Sequence, residues 1–190
     1  MFVALSCGKD SAAMLSLVRE IDPTVPARIL LWPESEILGN YDATIAAWRA
    51  IGVHVDALRL TRASLDESVP ERWAQLADVA PCDGHFVGLR ASESRHRAIA
   101  LGKYSPLHQY RSGPLVGQWR CAPLTRWSTD DVAAQIYISG APLLDVYGDE
   151  GIDARSSTRI PRASARDAAM TQLQRRGRGA LLALRRVYPE

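Results

Sequence analysis

The residues best suited to chemistry lie at positions 6–11, where Ser6, Cys7, Gly8, Lys9, Asp10 and Ser11 follow one another without interruption. Residues 2–5, Phe-Val-Ala-Leu, read as a short apolar strand, and residues 12–18 read as a helix. A strand that runs through a small polar turn into a helix aims backbone N–H groups and the positive helix end at one point. A phosphate would be held there. The plainer alternative is an ordinary turn in which Asp10 or a serine caps the helix. Cys7 admits two readings as well: a thiol whose pKa falls at a helix N-terminus beside Lys9, or simply a small residue tolerated in the turn.

Other chemically capable residues are less organised. Cys7, Cys82 and Cys121 are far apart, and no Cys-x-x-Cys pair exists, so neither a zinc site nor a disulfide framework is indicated. His54, His85, His96 and His108 show no metal-ligand spacing. Glu93 and Arg97, four apart on an expected helix, could serve a ligand or only each other. Ser128 and Asp131 have capping-box spacing, and Trp127 reads as core.

These residues need elements to position them. The first helix, over about 10–20, ends near Asp22 and Pro23. Residues 28–32 give a second apolar run stopped by Pro33, and residues 42–51 are apolar at helical spacing up to Gly52. Residues 53–60 alternate as a strand does. A helix from Ser64 through Trp73 and Leu76, a strand at 86–89, a helix at 92–101, a strand at 115–120 and a helix from Ser128 to Ile138 complete the order. Strand–helix alternation predicts an α/β fold of three layers, a mostly parallel five-stranded sheet with helices on both faces. Ligands of such sheets bind beyond the carboxyl ends of the strands, at the topological switch point. That rule gathers the 6–11 turn, the 32–36 segment and Arg90 into one candidate site.

A Walker A loop is excluded because no upstream glycine stands at the required offset from Gly8 and Lys9, and the dinucleotide fingerprint is absent. The turn instead resembles the PP-loop, Ser-Gly-Gly-x-Asp-Ser, of the adenine nucleotide α-hydrolase-like superfamily, with Cys7 where glycine is usual. Two later stretches narrow the resemblance. Residues 88–97, with Gly88, Leu89, Arg90, Glu93, Ser94 and Arg97, are similar to the Gly-Ile-Arg-x-x-Glu-Ser-x-x-Arg segment of the PAPS reductase (phosphoadenylylsulfate reductase) family. Pro123, Leu124, Trp127, Ser128, Asp131 and Val132, then Pro142, Tyr147 and Gly151, resemble that family's following segment in order and spacing. The family's reductive chemistry does not carry over: no Cys follows Cys121, no His follows His108, and Trp32, Pro33 and Glu34 replace the usual Asp-Thr-Gly.

The resemblance therefore implies a PP-loop nucleotide-binding domain over residues 1–154 that binds ATP with Mg2+ and splits it between the α and β phosphates. It implies that Ser6, Cys7, Gly8, Lys9, Asp10 and Ser11 hold the pyrophosphate, with Lys9 adding a point charge and Asp10 placing Mg2+. Arg90 and Arg97 would clamp phosphate oxygens or a second anionic substrate, and Leu31 and Trp32 would face the adenine. The acceptor of the AMP group is unknown.

Charge raises a competing function. The net charge is +2, yet nine Arg against Asp167 and Glu190 give residues 155–190 a charge of +7, which leaves −5 on residues 1–154. This segment reads as one or two amphipathic helices packed on the domain. Its arginines would be solvated, or would contact nucleic acid or a ribonucleoprotein. Arg155 and Arg159 are the better candidates for the substrate. Short relatives of this kind that lack the reductive cysteine occur beside phage, plasmid and CRISPR modules, so the resemblance also implies a binding or accessory role in such a setting. A PAPS or APS reductase is the third reading. No apolar window approaches membrane-span length and no secretory signal precedes the first strand, so a cytoplasmic protein without membrane contact is expected.

Overall fold

The structure, a computed structural model, describes residues 1–32, 35, 39–60, 69–104 and 106–154. The expected basic segment 155–190, Arg155 and Arg159 included, lies outside the described residues, as does most of the 32–36 segment.

In chain order the elements are β1 (Phe2–Ala4), α1 (Lys9–Ile21), β2 (Ala27–Leu31), α2 (Tyr41–Ala50), β3 (Val55–Arg59), α3 (Val69–Asp78) and β4 (Gly84–Phe86). A 3-10 turn (Ala91–Glu93), α4 (Arg95–Lys103), β5 (Leu107–Gln109), β6 (Trp119–Cys121), α5 (Thr129–Ser139) and α6 (Val146–Asp149) follow. Among the described residues the sheet has six strands, in the order β3-β2-β1-β4-β6-β5, and every pair is parallel except β5 with β6. The sequence predicts five. The missed strand is β5, three residues long with a single apolar member, at the sheet edge, where no alternation can develop.

Period-two alternation assigns the strands' side chains to two faces. Val3, Ala27, Ile29, Leu31 and Val55 enter a core shared with Met14 and Leu15 of α1, Trp48 of α2 and Val132 of α5. Phe2, Ala4, Leu30 and Leu58 face the other way, against Trp73, Leu76 and Ala77 of α3. In α2, Tyr41, Thr44, Ile45 and Trp48 recur at one-turn spacing, and all four are buried. Trp48 and Tyr41 are each 1% exposed, and burial of large side chains of this kind stabilises by roughly 1.5–3 kcal/mol apiece.

The chain steps outward from β1 through β2 to β3, then returns through α3 to pair β4 with the free side of β1. β1 and β4 thus flank the switch point, and the segments leaving their carboxyl ends share one crevice. β4 ends three residues earlier than the apolar run 86–89 predicts, because Val87 and Leu89 continue past the sheet as cleft wall and local core. Similarly, β6 covers Trp119–Cys121 and not 115–120, since residues 113–118 form the turns that reverse the chain onto β5. Among the described residues no helix is long and apolar enough to cross a membrane.

Candidate nucleotide-binding cleft

The 6–11 turn leaves β1 and enters α1 with an internal hydrogen-bond lock. The Ser11 hydroxyl donates to the Gly8 carbonyl at 2.9 Å and accepts from the Ser6 amide at 3.1 Å. The Ser6 hydroxyl lies 3.0 Å from the same oxygen. A hydroxyl has one proton to give, so Ser6 Oγ is the donor in that contact. Cys7 is fully buried and stands at φ +54°, the left-handed region. A side chain there costs about 1–2 kcal/mol, which is the physical reason that glycine suits this position. Gly8 is the N-cap of α1 and has no side chain with which to cap it. Among the described residues no carboxylate or hydroxyl accepts from the first N–H groups of this helix, which leaves those donors available at its positive end.

Gly88, after β4, fixes the turn from the other side. A Cβ at Gly88 would sit 2.8 Å from the carbonyl carbon and oxygen of Asp10 and 2.9 Å from the Ser11 amide nitrogen. Only glycine allows the β4 segment to approach the first turn of α1 so closely.

That approach brings Arg90 onto Asp10. Arg90 Nε donates to Asp10 Oδ1 at 2.6 Å, with the two side chains 4% and 17% exposed. Arg90 Nη1 donates to Ser92 Oγ at 3.1 Å and to Thr129 Oγ1 at 3.4 Å, while the Arg90 amide donates to Glu93 Oε2 at 3.1 Å. Among the described residues Nη2 has no partner within hydrogen-bond distance. Glu93 is bound from a second direction by Arg97, so this pair is an i,i+4 ion pair, one of the two readings open in the sequence. Ser94 caps α4 by accepting from the Arg97 amide at 3.2 Å. Ser128 and Asp131 form a capping box on α5, and the hydrogen bonds that the Ser128 amide and hydroxyl donate to Asp131 Oδ2 hold its carboxyl below the usual carboxylate range. Asp131 is a capping residue.

Ser6, Gly8, Lys9, Asp10, Ser11, Arg90 and Arg97 all line one cleft of about 660 Å3 at the carboxyl ends of β1 and β4. Lys9 is 9% exposed; its ammonium donates to the Ala154 carbonyl at 3.3 Å and lies 5.8 Å from the Tyr147 ring centroid. Three helix starts meet here, those of α1, α4 and α5. Among the described residues no group of three or more His, Cys, Asp or Glu could cage a metal. The donor set nevertheless fits a Mg2+ carried by phosphates, because such an ion needs only one or two protein carboxylates. Asp10 lines the cleft beside the turn, and its Oδ2 accepts no hydrogen bond among the described residues.

Other expected members are elsewhere. Leu31 is 1% exposed within the main core, and Trp32 is 7% exposed with the Arg72 guanidinium 5.0 Å from its ring centroid. Neither lines the cleft. Cys7 is also turned into the core, beside Val3 and Leu5. In their place the cleft gains Ala4, Trp73, Val87, Thr129, Tyr147 and Asp153. Tyr147 belongs to a family-like stretch of the sequence, but Trp73 carries no sequence signal beyond its place on an expected helix.

No family model matches this chain, and neither does any curated protein. Solved structures do. The FMN adenylyltransferase of Candida glabrata in complex with ATP superposes with a TM-score of 0.56 at 14% identity, over 77% of this chain and 48% of that one. The same enzyme in complex with FAD and inorganic pyrophosphate gives a TM-score of 0.55 at 15% identity, over 76% and 50%. The PAPS reductase of Candida auris, a phosphate complex, gives 0.48 at 14% identity, over 78% and 77%. This chain spans about half the length of the adenylyltransferase that it matches. The likeness is one of architecture: the chain has the adenine nucleotide α-hydrolase-like fold, an α/β sheet with helices on both faces.

Proposed function

We propose that the cleft binds ATP and breaks its α–β phosphoanhydride, passing AMP to an acceptor nucleophile or to water and releasing pyrophosphate. The observation that carries this reading is the uncapped start of α1, facing a cleft whose walls hold the buried cations Lys9 and Arg90. Backbone N–H groups at residues 8–11 bind the oxygens of the β and γ phosphates, and Lys9 adds a positive charge beside them. The acceptor's electron pair attacks the α phosphorus, the bond from that phosphorus to the bridging oxygen breaks, and its electrons leave with pyrophosphate. Stabilising the charge that builds on the departing oxygens is the main demand of such a transfer. Arg90, clamped by Asp10, Ser92 and Thr129, needs no reorganisation to supply Nη2 to that charge. A Mg2+ on the phosphates, held by Asp10 Oδ2, would supply further charge neutralisation. The adenylyltransferases of the same fold, seen with ATP and with pyrophosphate, support the reading by fold alone.

The purified chain should convert ATP with Mg2+ to AMP and pyrophosphate in equal amounts. Lys9→Ala and Asp10→Ala should each reduce the rate by at least about 100-fold while the protein stays folded. No binding of ATP, or full activity in both variants, would overturn it.

A second reading, a nucleic-acid or ribonucleoprotein accessory module, is favoured by the +7 charge of residues 155–190. It calls for RNA or DNA binding that weakens steeply with salt and on replacing Arg175, Arg176 and Arg178. Salt-insensitive binding, or none, removes it.

A further inference from the structure

We infer that Trp73 forms the wall of a base subsite in this cleft, stacking on the flat aromatic heterocycle of the nucleotide. The inference rests on the ATP reading above and names the part of the site that the phosphate-binding residues leave unassigned.

The cleft has two unlike sides because it straddles the carboxyl edge of the sheet. Asp10, Arg90, Ser128 and Thr129 belong to the side on which α1 packs against α5, and all are polar. Trp73 comes from α3 on the opposite side, where Ala4 and Val87 supply the neighbouring apolar surface. Trp73 is only half-buried, so part of its ring borders open space. The ring is also braced: the His85 ring centroid lies 5.0 Å away at 38°, and that of His85 lies 5.5 Å from Phe2 and 5.8 Å from Tyr110. His85 is 1% exposed, and burial, with smaller contributions from Arg120 and His108, lowers its pKa to about 4. The brace is therefore an uncharged ring at neutral pH, and the indole is held in one orientation by a rigid aromatic group.

A ring held in this way, beside small or apolar residues and within one cleft of a bare helix start, suits a planar base whose phosphates reach the helix. Stacking on an aromatic side chain is sequence-tolerant but demands a π face. Ala4 leaves room beside it, because it projects no more than a methyl group into the cleft. Trp32, the tryptophan that its position after β2 makes the obvious candidate, already has Arg72 against its ring.

The test compares two probes on the full chain: ATP, and inorganic tripolyphosphate, which has the phosphates but no base. Trp73→Leu keeps apolar volume and removes the π face, and Trp73→Phe restores one. Trp73→Leu should weaken ATP binding about tenfold to a hundredfold while tripolyphosphate affinity stays within about twofold of the parent. Trp73→Phe should recover most of the loss. Equal ATP affinity in the parent and Trp73→Leu would overturn the base subsite and leave the ATP reading standing. Equal losses for both probes would also overturn it, since Trp73 would then serve only to hold the fold. A parent chain that binds neither probe overturns both.

Discussion

Among the described residues Arg28, at 2% exposure, and Arg90, at 3%, are the most deeply buried arginines, and they stand on opposite faces of one sheet. Arg28, on β2, points at the end of α3. Its Nη1 donates to the Leu76 carbonyl at 2.7 Å and the Ala77 carbonyl at 3.2 Å, and its Nη2 to the Ala80 carbonyl at 3.1 Å. Asp56 lies 3.6 Å from Nε, and the guanidinium sits 4.5 Å from the Phe2 ring centroid. Both Nη atoms are matched by carbonyls of the fold, Nε is buried beside Asp56 without a hydrogen-bond partner, and the cation closes the carbonyl end of a helix as a C-terminal cation does. Arg90 is equally enclosed, but its partners are side chains on three different segments, it lines the cleft, and Nη2 has no partner among the described residues. Burial alone does not separate a structural charge from a functional one. What separates them is where the leftover donor sits: Nε of Arg28 is sealed in the core, whereas Nη2 of Arg90 belongs to a side chain that lines the cleft.

Replacing each arginine by methionine should split stability from activity along that line. Arg28→Met strands three carbonyls at the end of α3 and should cost about 3–5 kcal/mol of stability, with the surviving folded protein still able to bind ATP. Arg90→Met should lower ATP turnover by at least about 100-fold and cost less stability, because Asp10 is partly open to solvent. Denaturant melts and steady-state rates on both variants decide it. Equal stability losses with equal activity losses would erase the distinction.

A smaller effect sharpens the same contrast through His85, which is buried like the two arginines but uncharged. Burial lowers its pKa from 6.5 to about 4. The unfolded chain thus takes up a proton that the folded protein refuses between these values. The stabilisation is complete above pH 6.5 and is lost as pH falls through 4, by about 3 kcal/mol at the lower end. His85→Phe, which also removes the unpartnered Nδ1, should flatten the stability profile over that interval. An unchanged slope in equilibrium unfolding would show that His85 is not the titrating group.

The place of the 6–11 turn in the cleft was legible because its residues are local. The Ser6, Gly8, Lys9, Asp10 and Ser11 turn occupies six consecutive positions, and Gly88 and Arg90 follow a strand as the switch-point rule requires. The apolar wall of the cleft was not. Leu31 and Trp32 close β2 next door, yet packing draws both inward, and Arg72 takes the face of Trp32. Trp73 reaches the cleft only because α3 crosses from β3 to β4 over the second face of the sheet, which no periodicity in α3 itself reveals. The same holds for Asp153 and Ala154, brought to Lys9 from 145 residues away. Arg28 shows the converse. Its place inside an apolar strand hides the carbonyl cluster that makes its burial tolerable.

The central claim is the bond that breaks. Incubating the chain with Mg2+ and ATP labelled separately in the α and γ phosphates, then separating the products, reads it directly. The account predicts the α label in AMP or an AMP-bearing acceptor and the γ label in pyrophosphate. Labelled ADP with free phosphate would contradict it.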